Sequence, residues 1–303
     1  MSLFVTQIFH QLVKSITLLR LTLVLIITII VLISIKVFSN EENDITNLIF
    51  HPIPGHELSP SDPLILQYLR DHHLTAPPHN RTYFDPKTLH PLNYHVLRAM
   101  QILFGGKVLP KGKFFLECGA NDGQFISNTI KLEVKHNWTG VLVEGSPSLV
   151  KKLKNKGRNA WVADICLGGK QPEQIEFLMH KDKFPNWRIG NGKINPSGKY
   201  DSPLDAGGFK RDYYNSDGIV NCFPLESLLR AVNVERVDFF SLDVEGHEYK
   251  ILKAFPFNKF DIKIILVEHF LAPEGSKAIK SLLEENGYIL LHDSGTDYVF
   301  YKR

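Results

Sequence analysis

Three acidic residues at regular places in the sequence are the first candidates for chemistry. Glu117 follows the apolar residues Phe114–Leu116, Glu144 closes the run GVLVE, and Asp164 follows a third apolar segment. Short apolar runs bounded by turns predict parallel strands that are buried in a sheet. The carboxyl ends of such strands meet at one edge, where open α/β sheets bind ligands. A single acid there is ordinarily a solvated residue, whereas three in succession indicate a binding site.

The glycine turn after Glu117 suits a ligand that contains a nucleoside. It lacks the full glycine pattern that cradles a pyrophosphate. We therefore expect S-adenosylmethionine (SAM), which has a sugar but no pyrophosphate. Glu117 and the turn would bind its methionine end, Glu144 its ribose and Asp164 its adenine amino group. The predicted cofactor-binding residues are Glu117, Gly119, Asn121, Asp122, Gly123, Glu144 and Asp164.

A fourth predicted strand, Val237–Leu242, carries the candidate catalytic group, because Asp243 follows it directly. Methyl transfer to a hydroxyl requires an aligned nucleophile and an acceptor for its proton. Asp243 can accept that proton, or a histidine, His247 or His269, can act as the base. We assign no metal ligand, although Asp243 and Glu268 could instead hold a divalent metal that lowers the pKa of the hydroxyl.

Several blocks of the sequence agree with one known family. FLECGANDGQF, GVLVEGSP and VDFFSLDVEGHEYKIL together resemble the FkbM-type methyltransferases, a class I SAM-dependent family. CFPLESLL and ILVEHF resemble its Star-like eukaryotic branch, membrane-anchored proteins of the secretory pathway. The resemblance covers about residues 110–303. It implies a Rossmann-like α/β sheet with helices on both faces and a C-terminal β-hairpin, with SAM as the cofactor.

The resemblance implies two alternative functions. The first is a membrane-anchored, SAM-dependent O-methyltransferase, whose acceptors would be glycans or other small hydroxylated molecules of the secretory pathway. The second is a catalytically silent Star-like protein. It would carry growth-factor cargo, such as EGF receptor ligands, between the ER, Golgi, endosomes and plasma membrane. Whether the chain is an enzyme stays open at this point, because a fold does not fix a function.

The N-terminal region predicts a membrane anchor. Residues 16–38 contain an almost entirely apolar run of about 20 residues, which is the length of a bilayer span. A cleaved signal peptide would have a shorter apolar core and a small-x-small site, for which Val37–Ser39 is a poor match. Lys14 precedes the run, and Glu41 and Glu42 follow it. The positive-inside rule then predicts a single-pass type II protein of the ER or Golgi with a luminal C-terminus.

Other sequence features are compatible with a luminal domain. Glycosylation sequons begin at Asn80 and Asn137. Cys166 and Cys222 flank one insertion and could pair in an oxidising lumen. The predicted parts of the chain are a cytoplasmic tail (1–15), a transmembrane signal-anchor (16–38), a luminal stem with an N-terminal helical extension (39–112) and the methyltransferase domain (113–303).

Composition restricts the class of protein. The 303 residues suffice for one domain with appendages, and 35 basic against 32 acidic residues give a net charge of +3. The densest basic run, Lys151–Arg158, falls on a predicted helix and indicates a solvated helix face, so we expect no nucleic-acid partner.

Lys181–Gly218 predicts a long loop, whose aromatic residues could cover a sugar substrate or pin the loop to the core.

Overall fold

The structure is a computed structural model, and it describes residues 23–36, 42–78, 89–106, 108–180, 192–195 and 214–303. The chain forms two compact units, Met1–Glu57 and Leu58–Arg303. In the first unit, residues 23–36 and 42–50 are helical, and the large apolar side chains of helix 23–36 are exposed. None of the helices in the described ranges combines the length and the apolar character that crossing a membrane requires. The described residues therefore do not support the predicted membrane span, and the rest of that segment lies outside them.

The second unit alternates strands and helices along most of its length, as a parallel sheet covered by helices requires. Its helices are α1 (Pro63–His72), α2 (Tyr94–Phe104), α3 (Ile130–His136), α4 (Pro147–Lys154), α5 (Leu225–Ala231), α6 (Glu248–Ala254) and α7 (Ser276–Glu285). Its strands are β1 (Leu74–Thr75), β2 (Phe114–Cys118), β3 (Thr139–Val143), β4 (Ala160–Ala163), β5 (Cys166–Leu167), β6 (Glu173–His180), β7 (Gly192–Asn195), β8 (Tyr214–Phe223), β9 (Arg236–Val237), β10 (Phe239–Leu242), β11 (Asp261–Ile262), β12 (Ile264–Glu268), β13 (Ile289–Asp293) and β14 (Asp297–Tyr301).

An eight-stranded sheet in the order β1-β4-β3-β2-β10-β12-β14-β13 forms the centre of this unit. Strands β4, β3, β2, β10 and β12 are parallel. They are buried because their side chains are almost all apolar, among them Phe115, Leu142, Phe239 and Ile264. Strand β2 lies between β3 and β10, so the chain order reverses there. The carboxyl ends of these strands are thus the expected place for a ligand.

The predicted C-terminal hairpin is confirmed. Strand β14 pairs antiparallel with both β12 and β13, so the hairpin extends the parallel sheet at one edge. At the other edge, β1 pairs antiparallel with β4. Helix α1 precedes β1 and begins with Asp62 as N-cap and Pro63 in the first turn. The mixed α/β fold of the sequence prediction is therefore present.

A separate four-stranded sheet, in the order β5-β8-β6-β7, forms the insertion after β4. Its strand β6 pairs antiparallel with both β7 and β8. The predicted loop Lys181–Gly218 instead contains β7 and the start of β8, and most of its aromatic residues lie outside the described part of the chain. Cys166 and Cys222 face each other in the β5–β8 pair and form a disulfide, with a Cα–Cα distance of 4.3 Å.

Candidate functional site

A cavity of about 150 Å³ lies at the carboxyl ends of the central strands. One part of its lining is polar and includes Glu117, Asn121, Asn128, Ser241, Asp243 and His247. The ends of β3 and β4 and the inserted sheet supply an apolar part, which includes Val143, Ile165, Leu167, Phe177 and Ile194. Phe125, Ile126 and Val244 add apolar side chains to the rest of the lining. The parallel sheet provides most of the polar part, and the inserted sheet contributes to the apolar part. Such a division suits a ligand with one charged end and one apolar end.

Gly119 allows the turn after β2 to lie against β10. Its φ is +81°, and a Cβ atom at this position would collide with the carbonyl oxygen of Asp243. The N–H groups of Gly119 and Ala120 both donate to the carbonyl oxygen of Val143, at 3.1 and 3.0 Å. The turn is therefore fixed between the ends of β3 and β10, and only glycine fits where it crosses.

Glu144, which follows β3, supports this turn from the other side. Its Oε2 accepts from the Asn121 N–H at 2.7 Å, and its Oε1 accepts from the Ser146 N–H at 2.8 Å. Burial raises the pKa of Glu144 to about 7. A carboxylate has about four lone-pair sites, so Glu144 keeps acceptor capacity toward the cavity that it lines.

Glu117 is buried and organises the segment that follows the turn. Its Oε1 accepts from the Asn128 N–H at 2.6 Å. Its Oε2 accepts from the hydroxyls of Ser127 at 2.8 Å and Thr129 at 2.5 Å. These bonds place Asn128 in the cavity wall, where its side chain also donates to the Ser241 hydroxyl at 3.0 Å.

Arg158 is buried, and this corrects the prediction that the whole basic run is solvated. Its Nε donates to Glu133 Oε2 at 2.6 Å, so the pair is an ion pair inside the protein. Its other nitrogens donate to the Gly123 carbonyl oxygen, to the Ser127 hydroxyl at 3.2 Å and to the Thr129 hydroxyl at 3.0 Å. Arg158 thus joins both ends of the segment that follows the glycine turn.

The structure does not bring all of the predicted cofactor residues to the cavity. Asp122 and Gly123 are not among the described residues that line it. The Asp122 carboxylate instead accepts from the N–H groups of Gln124 and Phe125, at 2.9 and 2.8 Å, and forms an ion pair with Lys156 at 2.9 Å. Asp122 therefore shapes the turn. The predicted cofactor residues that do line the cavity are Glu117, Gly119, Asn121 and Glu144.

Asp164 lies outside the cavity lining, and its position does not fit the predicted contact with adenine. One carboxylate oxygen is 2.8 Å from Nδ1 of His73, and the other is 2.6 Å from Nζ of Lys154. These partners tie the end of β4 to the residue before β1 and to α4. The next residue, Ile165, does line the cavity, so the side chain at this point of the wall is apolar.

Asp243, Glu248 and Glu268 bring carboxyl oxygens to within 4.8 Å of one another. Asp243 is open to the cavity, yet the surrounding protein and the charge of Asp297 raise its pKa. Burial, and then the charge of Asp243, raise the pKa of Glu268 well above its ordinary value. Burial raises the pKa of Glu248 to about 7. Acids packed so closely cannot all be ionised without a cation.

The acid cluster of Asp243, Glu248 and Glu268 can resolve this repulsion in two ways. Glu268 can keep its proton and leave Asp243 as the ionised acceptor, or the three carboxylates can hold a divalent cation through oxygen ligands. Glu248 is fixed, because it accepts from the N–H groups of Val244 and Gly246 at 2.9 and 3.0 Å. Oε2 of Glu268 is buried and has no hydrogen-bond partner within the described part of the chain.

The two predicted histidine bases occupy different places. His247 lines the cavity, and burial lowers its pKa to about 4, so it is neutral at physiological pH. His269 is not among the described lining residues. Its Nε2 lies 3.2 Å from Asp293, and its ring centroid lies 3.9 Å from that of Tyr298. The structure therefore places Asp243 and His247 together at the cavity and assigns His269 to the contact with the C-terminal hairpin.

Comparisons with solved structures find methyltransferases. The precorrin-6y C5,15-methyltransferase of Geobacter metallireducens is 12% identical, with 73% of this chain and 93% of that chain covered and a TM-score of 0.35. A SAM-dependent methyltransferase of Aquifex aeolicus is 13% identical, with 72% and 98% covered and a TM-score of 0.31. Phosphoethanolamine N-methyltransferase 2 of Haemonchus contortus, in complex with SAM, is 10% identical, with 65% and 37% covered and a TM-score of 0.29. A search of curated proteins gives no match.

The family model described as "Methyltransferase FkbM domain" matches residues 117–290. The match is more than half of the chain. It begins at Glu117, the acid at the end of β2, and includes Glu144 and the acid cluster. The chain therefore belongs to the FkbM methyltransferase family.

Proposed function

We propose that this protein is a SAM-dependent O-methyltransferase that acts on hydroxyls of glycans or other secretory-pathway molecules. The observation that carries the proposal is the cavity of a methyltransferase-family domain whose wall combines Gly119, Glu144 and Asp243. SAM would supply the methyl group. Its methionine end fits the polar part of the cavity, where the turn comes close enough to exclude any side chain at Gly119, and Glu144 has free acceptor sites for ribose hydroxyls.

Asp243 is the proposed catalytic residue. Its carboxyl faces the cavity at the end of β10, beside the turn that would bind SAM. An ionised Asp243 accepts the proton of the acceptor hydroxyl, and its negative charge orients that hydroxyl for attack. His247 is neutral and lies on the same wall, where it can accept a hydrogen bond from the same hydroxyl or take the proton in place of Asp243.

The proposal also includes a type II anchor at residues 16–38 that leaves the domain in the lumen of the ER or Golgi. Two features support it: the apolar run in the sequence and the disulfide between Cys166 and Cys222. Structural disulfides persist in oxidising compartments and are rare in the cytosol.

Titration calorimetry of the full chain in detergent with SAM tests the enzymatic function. We expect saturable binding, and then methyl transfer from labelled SAM to members of a glycan panel. The full chain with Gly119→Val is the matched control, because the added side chain would fill the closest approach of the turn to β10. Absence of heat at millimolar SAM would contradict the proposal and favour the Star-like alternative, a protein that binds secretory cargo.

A further inference from the structure

Phe177 is an aromatic residue of the inserted sheet that lines the cavity. It lies in β6, opposite Ile194 of β7, and it is buried in a cluster with Cys166, Ile175 and Cys222. Nothing in the parallel sheet requires an aromatic residue at this place. Its ring thus brings an apolar surface from the insertion to the end of the cavity that is remote from the acid cluster.

Two glycines make room for this ring. A Cβ atom at Gly145 would lie 2.7 Å from a ring carbon of Phe177, and a Cβ atom at Gly192 would collide with the ring. Phe177 also pairs with Gly218 in the β6–β8 ladder, so no side chain stands opposite it there. The ring is therefore held between backbone segments, and any larger residue at Gly145 or Gly192 would move it.

The position of Gly145 shows where the Phe177 ring lies relative to Glu144. Gly145 directly follows Glu144, whose carboxyl bonds the Asn121 N–H on one side and the Ser146 N–H on the other. Glu144 therefore lies between the polar turn and the apolar end. A ligand whose hydroxyls bind Glu144 would extend its charged part toward Asp243 and its flat part toward Phe177 and Ile165.

We propose that the inserted sheet supplies a nucleobase slot, and that Phe177, held between Gly145 and Gly192, is the residue that determines binding of the base. This inference rests on the proposed function, because it specifies where the adenine of SAM lies. The slot recognises a purine by apolar and aromatic contact, since the acid predicted for this role, Asp164, is bound to His73 and Lys154.

Binding of SAM and of adenosine to variants of the full chain tests the slot. Adenosine has the base and ribose but lacks the methionine end. Phe177→Leu and Phe177→Met both keep an apolar side chain but remove the ring, and they should weaken both ligands by the same factor, about threefold to tenfold, which is the range of an aromatic contact. Gly192→Ala should weaken both as well, because its Cβ displaces the ring. Ile175→Val is the matched control, a buried residue of the same strand outside the cavity lining, and should leave both affinities within about twofold of the wild type.

The outcomes separate this inference from the function on which it rests. If the wild type binds SAM and both Phe177 variants bind it with the same affinity, the proposed function is not refuted but the nucleobase slot is. A loss of SAM affinity without a loss of adenosine affinity would also overturn it, because the ring would then contact the methionine end. A wild-type chain that binds neither SAM nor adenosine would refute both the nucleobase slot and the proposed function. Thermal unfolding of each variant identifies those that fail to fold, and Phe177→Met then decides in place of Phe177→Leu.

Discussion

At the scale of single residues, the acids at the strand ends have different roles. Glu144 and Asp243 lie in the cavity wall, and Glu117 mainly holds backbone and hydroxyl donors. Asp164 lies outside the wall, where it contacts His73 and forms an ion pair with Lys154. The sequence shows that an acid ends each strand. It does not show which oxygens are already used, because the partners come from distant segments such as His73.

Glu144→Ala should weaken SAM binding at least about tenfold. The variant removes a carboxylate that can bind ribose hydroxyls, and such charge-assisted hydrogen bonds contribute about 1.5–3 kcal/mol. Glu144→Gln is the comparison variant, because it keeps an acceptor for the Asn121 N–H and should retain part of the affinity. Calorimetry on both variants measures the effect, and wild-type affinity in a folded Glu144→Ala protein would refute the ribose contact.

Asp243→Asn should lower the turnover number by at least about a hundredfold while SAM affinity stays within a few-fold. The amide has nearly the same shape but cannot accept the hydroxyl proton, and general-base catalysis contributes about a hundredfold or more. Groups that act mainly in the transition state change turnover more than ground-state binding. Methyl transfer to the acceptor found in the glycan screen measures turnover. Full activity of this variant would transfer the role of base to His247.

At the scale of elements, the glycine turn and the segment after Glu144 depend on contacts from distant parts of the chain as well as on their own residues. Arg158 holds both ends of the segment after the turn, and Asp217 of β8 accepts from Ser146 and from the first turn of α4. A basic run of this kind predicts a solvated helix. The last residue of the run is buried because the chain has already left α4 and turns toward β4.

Arg158→Met should destabilise the domain by about 3–5 kcal/mol, because it leaves the buried Glu133 carboxylate without its cation. Denaturant unfolding of the full chain measures the free energy of unfolding. Lys152→Met, an exposed position in the same run, should stay within about 0.5 kcal/mol of the wild type. The double variant Arg158→Met with Glu133→Leu should recover part of the loss. A single variant that loses less than about 1 kcal/mol would contradict the buried ion pair.

The acid cluster predicts that the ligand-free domain becomes less stable as pH rises. The pKa values of Asp243, Glu248 and Glu268 are raised in the folded state, so these groups hold protons that the unfolded chain has released. Their stabilisation is complete below the ordinary carboxyl range and is lost as pH rises through the folded values, with Glu248 titrating near 7. Each group changes the free energy of unfolding by up to about 1.4 kcal/mol per pH unit.

Unfolding of the full chain at pH 6 and pH 8 measures this dependence. Glu268→Gln, which imitates the protonated acid, should flatten the dependence, whereas Glu274→Gln at an exposed position should not. Stability that increases toward pH 8 in metal-free buffer would contradict the prediction. If Mg²⁺ restores stability at pH 8 in the wild type and not in Glu268→Gln, the cluster holds a cation instead of sharing protons.

At the scale of the whole molecule, the first unit contains an exposed apolar helix at residues 23–36, and the second contains the methyltransferase-family domain. The disulfide joins β5 to β8 within the inserted sheet, and its Cys166 lines the cavity. The sequence shows that Cys166 and Cys222 flank an insertion. Their pairing depends on a parallel register between β5 and β8, which has no local signal.

The proposed topology predicts that the C-terminal domain is protected from protease in intact microsomes. A C-terminal epitope tag should survive proteolysis until detergent is added, while an N-terminal tag should be lost without detergent. In the denatured chain, maleimide should modify Cys166 and Cys222 only after reduction. Digestion of the C-terminal tag in intact microsomes would contradict the type II orientation. The test does not depend on glycosylation at Asn137, whose neighbour Trp138 is fully buried.

The sequence by itself determined the parallel strands, their order of appearance and the C-terminal hairpin. It did so because apolar runs, glycine turns and strand-end acids are formed by neighbouring residues and can be recognised in the sequence itself. It also identified Gly119, Glu144 and Asp243 as parts of one site, since strand ends of a parallel sheet share an edge. In the structure all three residues line the same cavity, whereas their roles in binding and catalysis stay predictions.

Only the tertiary structure decided which residues complete the cavity. Phe177 reaches it from an inserted sheet, and Arg158 supports the turn beside it from beyond α4. Glu248 adds a third carboxylate to Asp243 and Glu268, which the sequence had already suggested as a pair. Most of these contacts join segments that are far apart in the chain. Arg158 is also buried just after the end of a helix, where its two neighbours in sequence are only partly buried. Burial and pairing of such groups follow from packing, which no local pattern of residue types encodes.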